Sequence, residues 1–184
     1  MARTPSTMLP LGTPMPNATL PDGTGKLYHL SECTGDKGTL VMFICNHCPF
    51  VIHIADFLQP LQIKLQALGI SCVAISSNDV ESYPADSPDK MVEFAAKYQL
   101  DFPYLYDENQ DVARAYEAAC TPDFFLFDGN GKLSYRGQLD GSRPGNDEPV
   151  NGADLVAAAA AISRGQEPSA QQLPSLGCNI KWKK

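Results

Sequence analysis

Two of the six cysteines in this 184-residue chain, Cys45 and Cys48, are separated by two residues, Asn46 and His47. That spacing suits dithiol–disulfide chemistry. A thiolate on the first sulfur attacks a disulfide, and the second sulfur, held within reach, displaces the mixed disulfide that forms. His47 lies between the two, where an imidazolium can stabilise the Cys45 thiolate; the alternative for His47 is a solvated loop residue. The same residue types also offer metal ligands, because thiolates and imidazole suit zinc or copper(I).

The flanking sequence says what holds these groups. Residues 39–44 form a continuous apolar run, the pattern of a strand buried on both faces, and the run leads directly into Cys45. Beyond Pro49, apolar residues fall at Phe50, Ile54, Phe57, Leu58, Leu61, Leu65 and Leu68. Steps of three and four mark an amphipathic helix. Pro60 inside the stripe predicts a kink, and Gly69 is placed to end the helix. A dithiol between strand and helix puts its first thiol before unpaired N–H groups and the positive end of the helix dipole, both of which favour thiolate. Pro49 lacks an N–H and suits the first helical turn.

The remaining elements alternate. Residues 18–20 and 26–30 flank the turn-forming stretch 21–25, a small β-hairpin. Residues 71–76 read as a second buried strand. Ser87, Pro88 and Asp89 read as N-cap, first helical position and first-turn acid of a helix carrying Met91, Phe94, Ala95 and Tyr98. A short strand over 103–106 and a short helix over 112–117 follow. Strands at 124–127 and 133–136 surround Asp128-Gly129-Asn130-Gly131, a strong hairpin signal. An Ala-rich helix spans about 154–164, closed by Gly165. The expectation is an α/β domain over residues 1–165, including the N-terminal hairpin at about 15–31, with a C-terminal tail over 166–184 packed on or near it. Strand–helix alternation gives parallel pairing and the closing hairpin adds antiparallel strands, so the central β-sheet is expected to be mixed and flanked by helices.

Bulk properties narrow the function classes. The formal net charge is -7 and the pI about 4.8, which disfavours binding to phosphate backbones, so no nucleic-acid partner is expected. No apolar run reaches transmembrane length and the N-terminus lacks a secretory apolar stretch, so no membrane partner and a cytoplasmic location are expected. In that setting six cysteines point to catalysis or metal rather than a disulfide framework.

Taken together, the strand, the CxxC, the helix with its proline and a later Thr121-Pro122 before a strand resemble the thioredoxin superfamily. The N-terminal hairpin and overall length are more similar to its AhpC/TSA (redoxin) branch. Cys-Asn-His-Cys-Pro-Phe-Val, with the ending Gly177-Cys178-Asn179-Ile180-Lys181-Trp182, resembles a group of bacterial thioredoxin-like proteins that carry CNHCPFV. The resemblance covers roughly residues 12–165. It implies a thioredoxin-like fold, a cis-proline at Pro122 facing the CxxC, and Thr121 helping to bind a partner's backbone. It implies a thiol–disulfide oxidoreductase, with roles in antioxidant activity and cell redox homeostasis, that acts on disulfide- or thiol-bearing proteins or small molecules without a cofactor. Where thioredoxin has Trp-Cys-Gly-Pro-Cys, this chain has Ile44-Cys45-Asn46-His47-Cys48; the His before the second cysteine is closer to DsbA-type oxidants.

Three readings follow. In the first, Cys45 is the nucleophile and Cys48 the resolving thiol, with His47, Thr121 and Pro122 in the site. In the second, the chain is a thiol peroxidase with Cys48 as the peroxidatic candidate, although the Thr and Arg that peroxiredoxins carry are not at matching positions. In the third, Cys45, His47 and Cys48, with Cys178, hold a metal without catalysis. Cys72 reads as a buried inert thiol and Cys33 as structural. Cys120 precedes Thr121-Pro122 and is either a space-filler or within reach of the dithiol. Cys178, in a flexible tail, is a possible third redox thiol, with Trp182 as a tail anchor through its ring. The Gly-rich polar stretch 136–145 reads as a surface connection, and His29 and His53 as surface or hydrogen-bonded residues.

Overall fold

The computed structural model describes residues 3–184. In chain order the elements are β1 (Arg3–Pro5), β2 (Thr19–Pro21), β3 (Leu27–His29), β4 (Gly38–Phe43), α1 (Pro49–Ala67), β5 (Ile70–Ser76), α2 (Pro88–Lys97), β6 (Tyr104–Tyr106), α3 (Asp111–Ala115), β7 (Cys120–Thr121), β8 (Asp123–Asp128), β9 (Leu133–Gly137), α4 (Ala153–Ser163) and β10 (Leu176–Asn179). The central sheet has the order β6-β5-β4-β8-β9. Strands β4, β5 and β6 run parallel, whereas β8 is antiparallel to both β4 and β9. This is a mixed sheet flanked by helices, the thioredoxin-like α/β arrangement.

The sheet separates two apolar layers. Leu40, Met42 and Ile44 face α1, whose buried stripe is Val51, Ile54, Ala55, Leu58, Leu61 and Leu65. On the other face Val41 and Phe43 meet Leu30, Val112 and Tyr116. There Tyr116 packs edge-on against Phe43, Phe125 and Phe127. Helix α1 runs through Pro60 without a break. Pro60 deprives only the Asp56 carbonyl of its intrahelical donor, and both residues are exposed to solvent.

Several expectations need correction at the edges. The hairpin forms with Thr19 opposite His29. Ser87 does occupy the cap position of α2, yet its side chain makes no capping bond. Helix α3 is shorter than the pattern suggested. The larger difference is a second sheet, β1-β10-β7, that sequence reading missed. Residues 176–179 form its central strand, between β1 and β7. The following backbone is fixed as well: Lys181 N–H donates to Asn78 Oδ1 (2.8 Å), and Lys183 N–H to Gln110 Oε1 (2.8 Å). The expected flexible tail is therefore tied down through its backbone. Trp182 stays partly exposed, its ring lying 4.8 Å from the Arg114 guanidinium. No helix among the described residues is long and apolar enough to cross a membrane.

Candidate active site

The two sulfurs of the CxxC sit where β4 gives way to α1. Proline is pre-shaped for the first helical position, so the helix starts at Pro49 and Cys48 becomes its N-cap. This moves the anion-favouring position three residues from expectation: Cys48, rather than Cys45, faces the helix end. The Cys48 carbonyl accepts the N–H groups of Val51 (3.0 Å) and Ile52 (2.9 Å). Both cysteines are buried, and both converge on one residue across the site. When protonated, Cys48 Sγ donates to the Thr121 carbonyl oxygen at 3.2 Å, and Cys45 Sγ lies 3.5 Å from Thr121 Oγ1. The Thr121–Pro122 peptide is cis, as the resemblance implied.

The pair divides its acidity unequally. The Cys45 thiol, donating to Cys48, lowers the Cys48 pKa to about 5, with further help from Cys178, Thr121 and the Val51 N–H and with burial opposing. Its partner moves the other way. Donation to Cys48, burial and the Asp86 carboxylate hold the Cys45 thiol well above its ordinary value. The reduced pair thus carries one negative charge, placed on Cys48, and keeps one proton on Cys45.

Asp86 is a site residue that sequence reading missed. It sits in a 3-10 turn, Pro84–Asp86, and is fully buried. Its carboxylate accepts the Asn46 N–H (2.8 Å) and Asn78 Nδ2 (2.8 Å). His47 Nδ1 lies 2.7 Å from Asp86 Oδ2, a close contact without hydrogen-bond alignment, and its ring stacks parallel to Tyr83. Asn46 is held further by Ala85 O and by Tyr104 OH. The two residues between the cysteines are therefore clamped to the 84–86 turn. An isolated Asp before a Ser-Pro helix start carries no periodic signal that could have revealed this. Replacing Asp86 by Ala leaves buried donors unsatisfied and is expected to cost about 2 kcal/mol in chemical denaturation, with Asp86→Asn costing less.

Cys45 Sγ, a His47 ring nitrogen and an Asp86 oxygen lie within 4.8 Å of one another, which is a possible metal-ligand set. This differs from the ligands expected, since Asp86 enters it and Cys48 and Cys178 do not. Asp86 is, however, already engaged by Asn46, Asn78 and His47.

The structure brings Cys178 to the dithiol. It pairs with Thr121 across β10 and β7, and burial, then its hydrogen bond to Cys48, pushes its own thiol up to about 12. The Thr121 backbone that the resemblance assigned to a partner is thus flanked by the chain's own strand. Cys120 is buried beside the cluster, bonded to Pro122 O, and its thiol is pushed far up by burial and then by Asp123. Cys72 is likewise held to about 12 by burial, and Cys33 bonds to the His29 carbonyl away from the site. His29 bonds to Thr19 Oγ1. The stretch read as a surface connection lies against the site, because Asp140, Ser142 and Arg143 share a small cleft with Pro122, Phe50 and His53. Asp140 folds this loop by accepting the N–H groups of Ser142, Asn151 and Gly152.

Comparison with known proteins gives the family. The Redoxin family profile matches residues 10–155. The chain is 28% identical over 130 residues to the thiol-disulfide oxidoreductase ResA of Geobacillus thermodenitrificans, covering 71% of this chain and 70% of that one. An uncharacterized conserved protein from Geobacillus kaustophilus superposes with a TM-score of 0.97 at 48% identity, over 100% of this chain and 97% of the other. A hypothetical protein from Sinorhizobium meliloti gives 0.95 at 44% identity, over 98% of both chains. At 26% identity, a putative thiol:disulfide interchange protein DsbE from Chlorobium tepidum covers 70% of this chain and 84% of its own, with a TM-score of 0.57. The chain belongs to the Redoxin family of thioredoxin-like redox enzymes, and its class is thiol–disulfide oxidoreductase.

Proposed function

We propose that the chain exchanges disulfides through Cys45 and Cys48, with Cys45 meeting the substrate and Cys48 resolving. The observation that carries this reading is the convergence of both sulfurs on Thr121. Cys45 passes its proton to the Cys48 sulfur as it attacks a substrate disulfide, forming a mixed disulfide and expelling one substrate thiolate. Cys48, giving up that proton to the departing thiolate, then attacks the Cys45 sulfur and expels the second. A Cys45–Cys48 disulfide remains and the substrate has gained two electrons. Run in reverse, the same steps oxidise a dithiol. Substrates are protein or small-molecule disulfides that reach Cys45 past the half-buried Asn46 and His47. We also propose a cytoplasmic setting, where thiols are kept reduced.

The test is equilibration in graded glutathione buffers, acid quenching, alkylation and peptide mapping. A stabilised Cys48 thiolate favours the reduced form, so the expected midpoint lies above about -270 mV, toward the roughly -120 mV of strong oxidants. Absence of a Cys45–Cys48 disulfide at every poise overturns the reading. The peroxidase alternative requires saturable peroxide consumption. It is disfavoured because Arg143, whose charge reaches Cys120 beside the pair, is engaged by the Asp140 and Ser142 carbonyls and by Gln138.

A further inference from the structure

The Cys48 sulfur has two thiol neighbours, and they arrive from different parts of the chain. Cys45 comes from the same loop. Cys178 comes from β10, 130 positions further along. Its placement is built into the backbone rather than incidental to a loose tail. Cys178 stands opposite Thr121 and Asn179 opposite Cys120 in the antiparallel register of β10 and β7. The close approach depends on Gly177: a Cβ there would come 2.0 Å from the Thr121 carbonyl oxygen, so any larger residue would push the strand away. That same carbonyl oxygen lies 3.2 Å from the Cys48 sulfur. Downstream, Ile180 N–H donates to Ala119 O, and Lys181 O accepts the Asp79 N–H. An open strand edge beside a dithiol can take an extended chain by backbone pairing; on this side of β7 the chain's own β10 does so, and it presents a cysteine.

We infer that Cys178 is a second disulfide partner of Cys48, so that the oxidised protein exchanges between a Cys45–Cys48 and a Cys48–Cys178 disulfide. This deepens the proposed exchange reaction and rests on it. In the step, the Cys178 sulfur attacks Cys48 Sγ. The Cys48–Cys178 bond forms, the Cys45–Cys48 bond breaks, and the proton lost by Cys178 ends on Cys45. No electrons enter or leave. Two features favour the timing. While Cys48 is a thiolate, its charge adds to burial in keeping Cys178 protonated. Once Cys48 is bonded to Cys45 that charge is gone, and the nearby Lys181 ammonium acts on Cys178 unopposed by it. The product returns Cys45 as a thiol and stores the oxidised pair behind β10. Cys120 does not compete, because its sulfur is turned to the Pro122 carbonyl.

The experiment uses the full chain carrying Cys45→Ser, reduced and then exposed to oxidised glutathione or diamide, with acid quenching and peptide mapping. The expected product is a peptide pair linked through Cys48 and Cys178, formed with release of any transient glutathione adduct. A glutathione adduct that persists on Cys48, or a Cys48 and Cys178 that both remain alkylatable after diamide, overturns the inference. Wild-type protein provides a second measurement independent of that variant's folding. Its oxidised form should yield both linked peptide pairs, with Cys45 alkylatable in the fraction holding Cys48–Cys178; a Cys45–Cys48 pair alone counts against the inference. The exchange reading is tested separately by Cys178→Ser, which must still form Cys45–Cys48. Failure there removes the parent reading, whereas failure of the linked Cys48–Cys178 product removes only this one.

Discussion

Cys48→Ser is expected to convert the chain from a turnover catalyst into a protein that reacts once and stops. Cys45 would still attack a disulfide, but the mixed disulfide would persist because no thiol follows within the CxxC. Intramolecular thiols act at very high effective concentration, so resolution by external thiol should lower turnover at least about a hundredfold. With oxidised glutathione as substrate, the adduct should be found on Cys45 by peptide mapping. Cys45→Ser should lower turnover by a similar factor, since the thiol proposed to meet the substrate is gone. Turnover at the wild-type rate in Cys45→Ser would sink the assignment. The pH dependence has a defined sign. In wild type the thiolate absorbance should appear as pH rises through about 5, because Cys45, Cys178, Thr121 and the Val51 N–H all stabilise the Cys48 anion. Cys48→Ser should remove that low-pH step.

Asp123→Asn is expected to flatten the pH dependence of stability between pH 5 and 7. Asp123 follows the cis-proline, pairs in register with Phe43 and is fully buried. Neither carboxylate oxygen has an aligned hydrogen-bond partner among the described residues. Burial therefore pushes its pKa from 3.8 up to about 8, moderated by the Ala119 and Phe124 N–H groups. The raised value means that the folded state holds a proton that the unfolded chain releases above about pH 4. Stability from this group is present in full below the unfolded pKa and is lost as pH rises toward the folded one. The slope is at most about 1.4 kcal/mol per pH unit, so the wild type should lose roughly 2–3 kcal/mol from pH 5 to 7 on this account. Urea unfolding at several pH values measures it, and the difference between the two proteins isolates Asp123 from the other titrating groups. Parallel curves for Asp123→Asn and wild type would show that the carboxyl is ionised or solvated after all.

Much of this molecule is legible in local sequence. The apolar run before Cys45 and the stripe from Phe50 to Leu68 determine a buried strand and an amphipathic helix, because each burial pattern has its own period. Pro49 sets where that helix begins, and Asp128 with Gly131 sets the hairpin between β8 and β9 by taking the turn's N–H groups and a positive φ. The CxxC and the Thr-Pro identified the chemistry and the family. What local pattern does not carry is pairing between distant short segments. Strands of two to four residues, such as β7 and β10, have too few positions to show alternation, and their hydrogen bonds come from partners more than fifty residues away. Asp86 is similar, since its donor Asn46 lies forty residues away in the loop between β4 and α1, and so is Asp123, whose burial follows from the layers packed around β8. By itself the sequence determined that two thiols would meet at a strand–helix junction. Only the tertiary structure decided which sulfur carries the charge and that a third thiol joins them, because acidity and proximity depend on what packs around a group after the chain has folded.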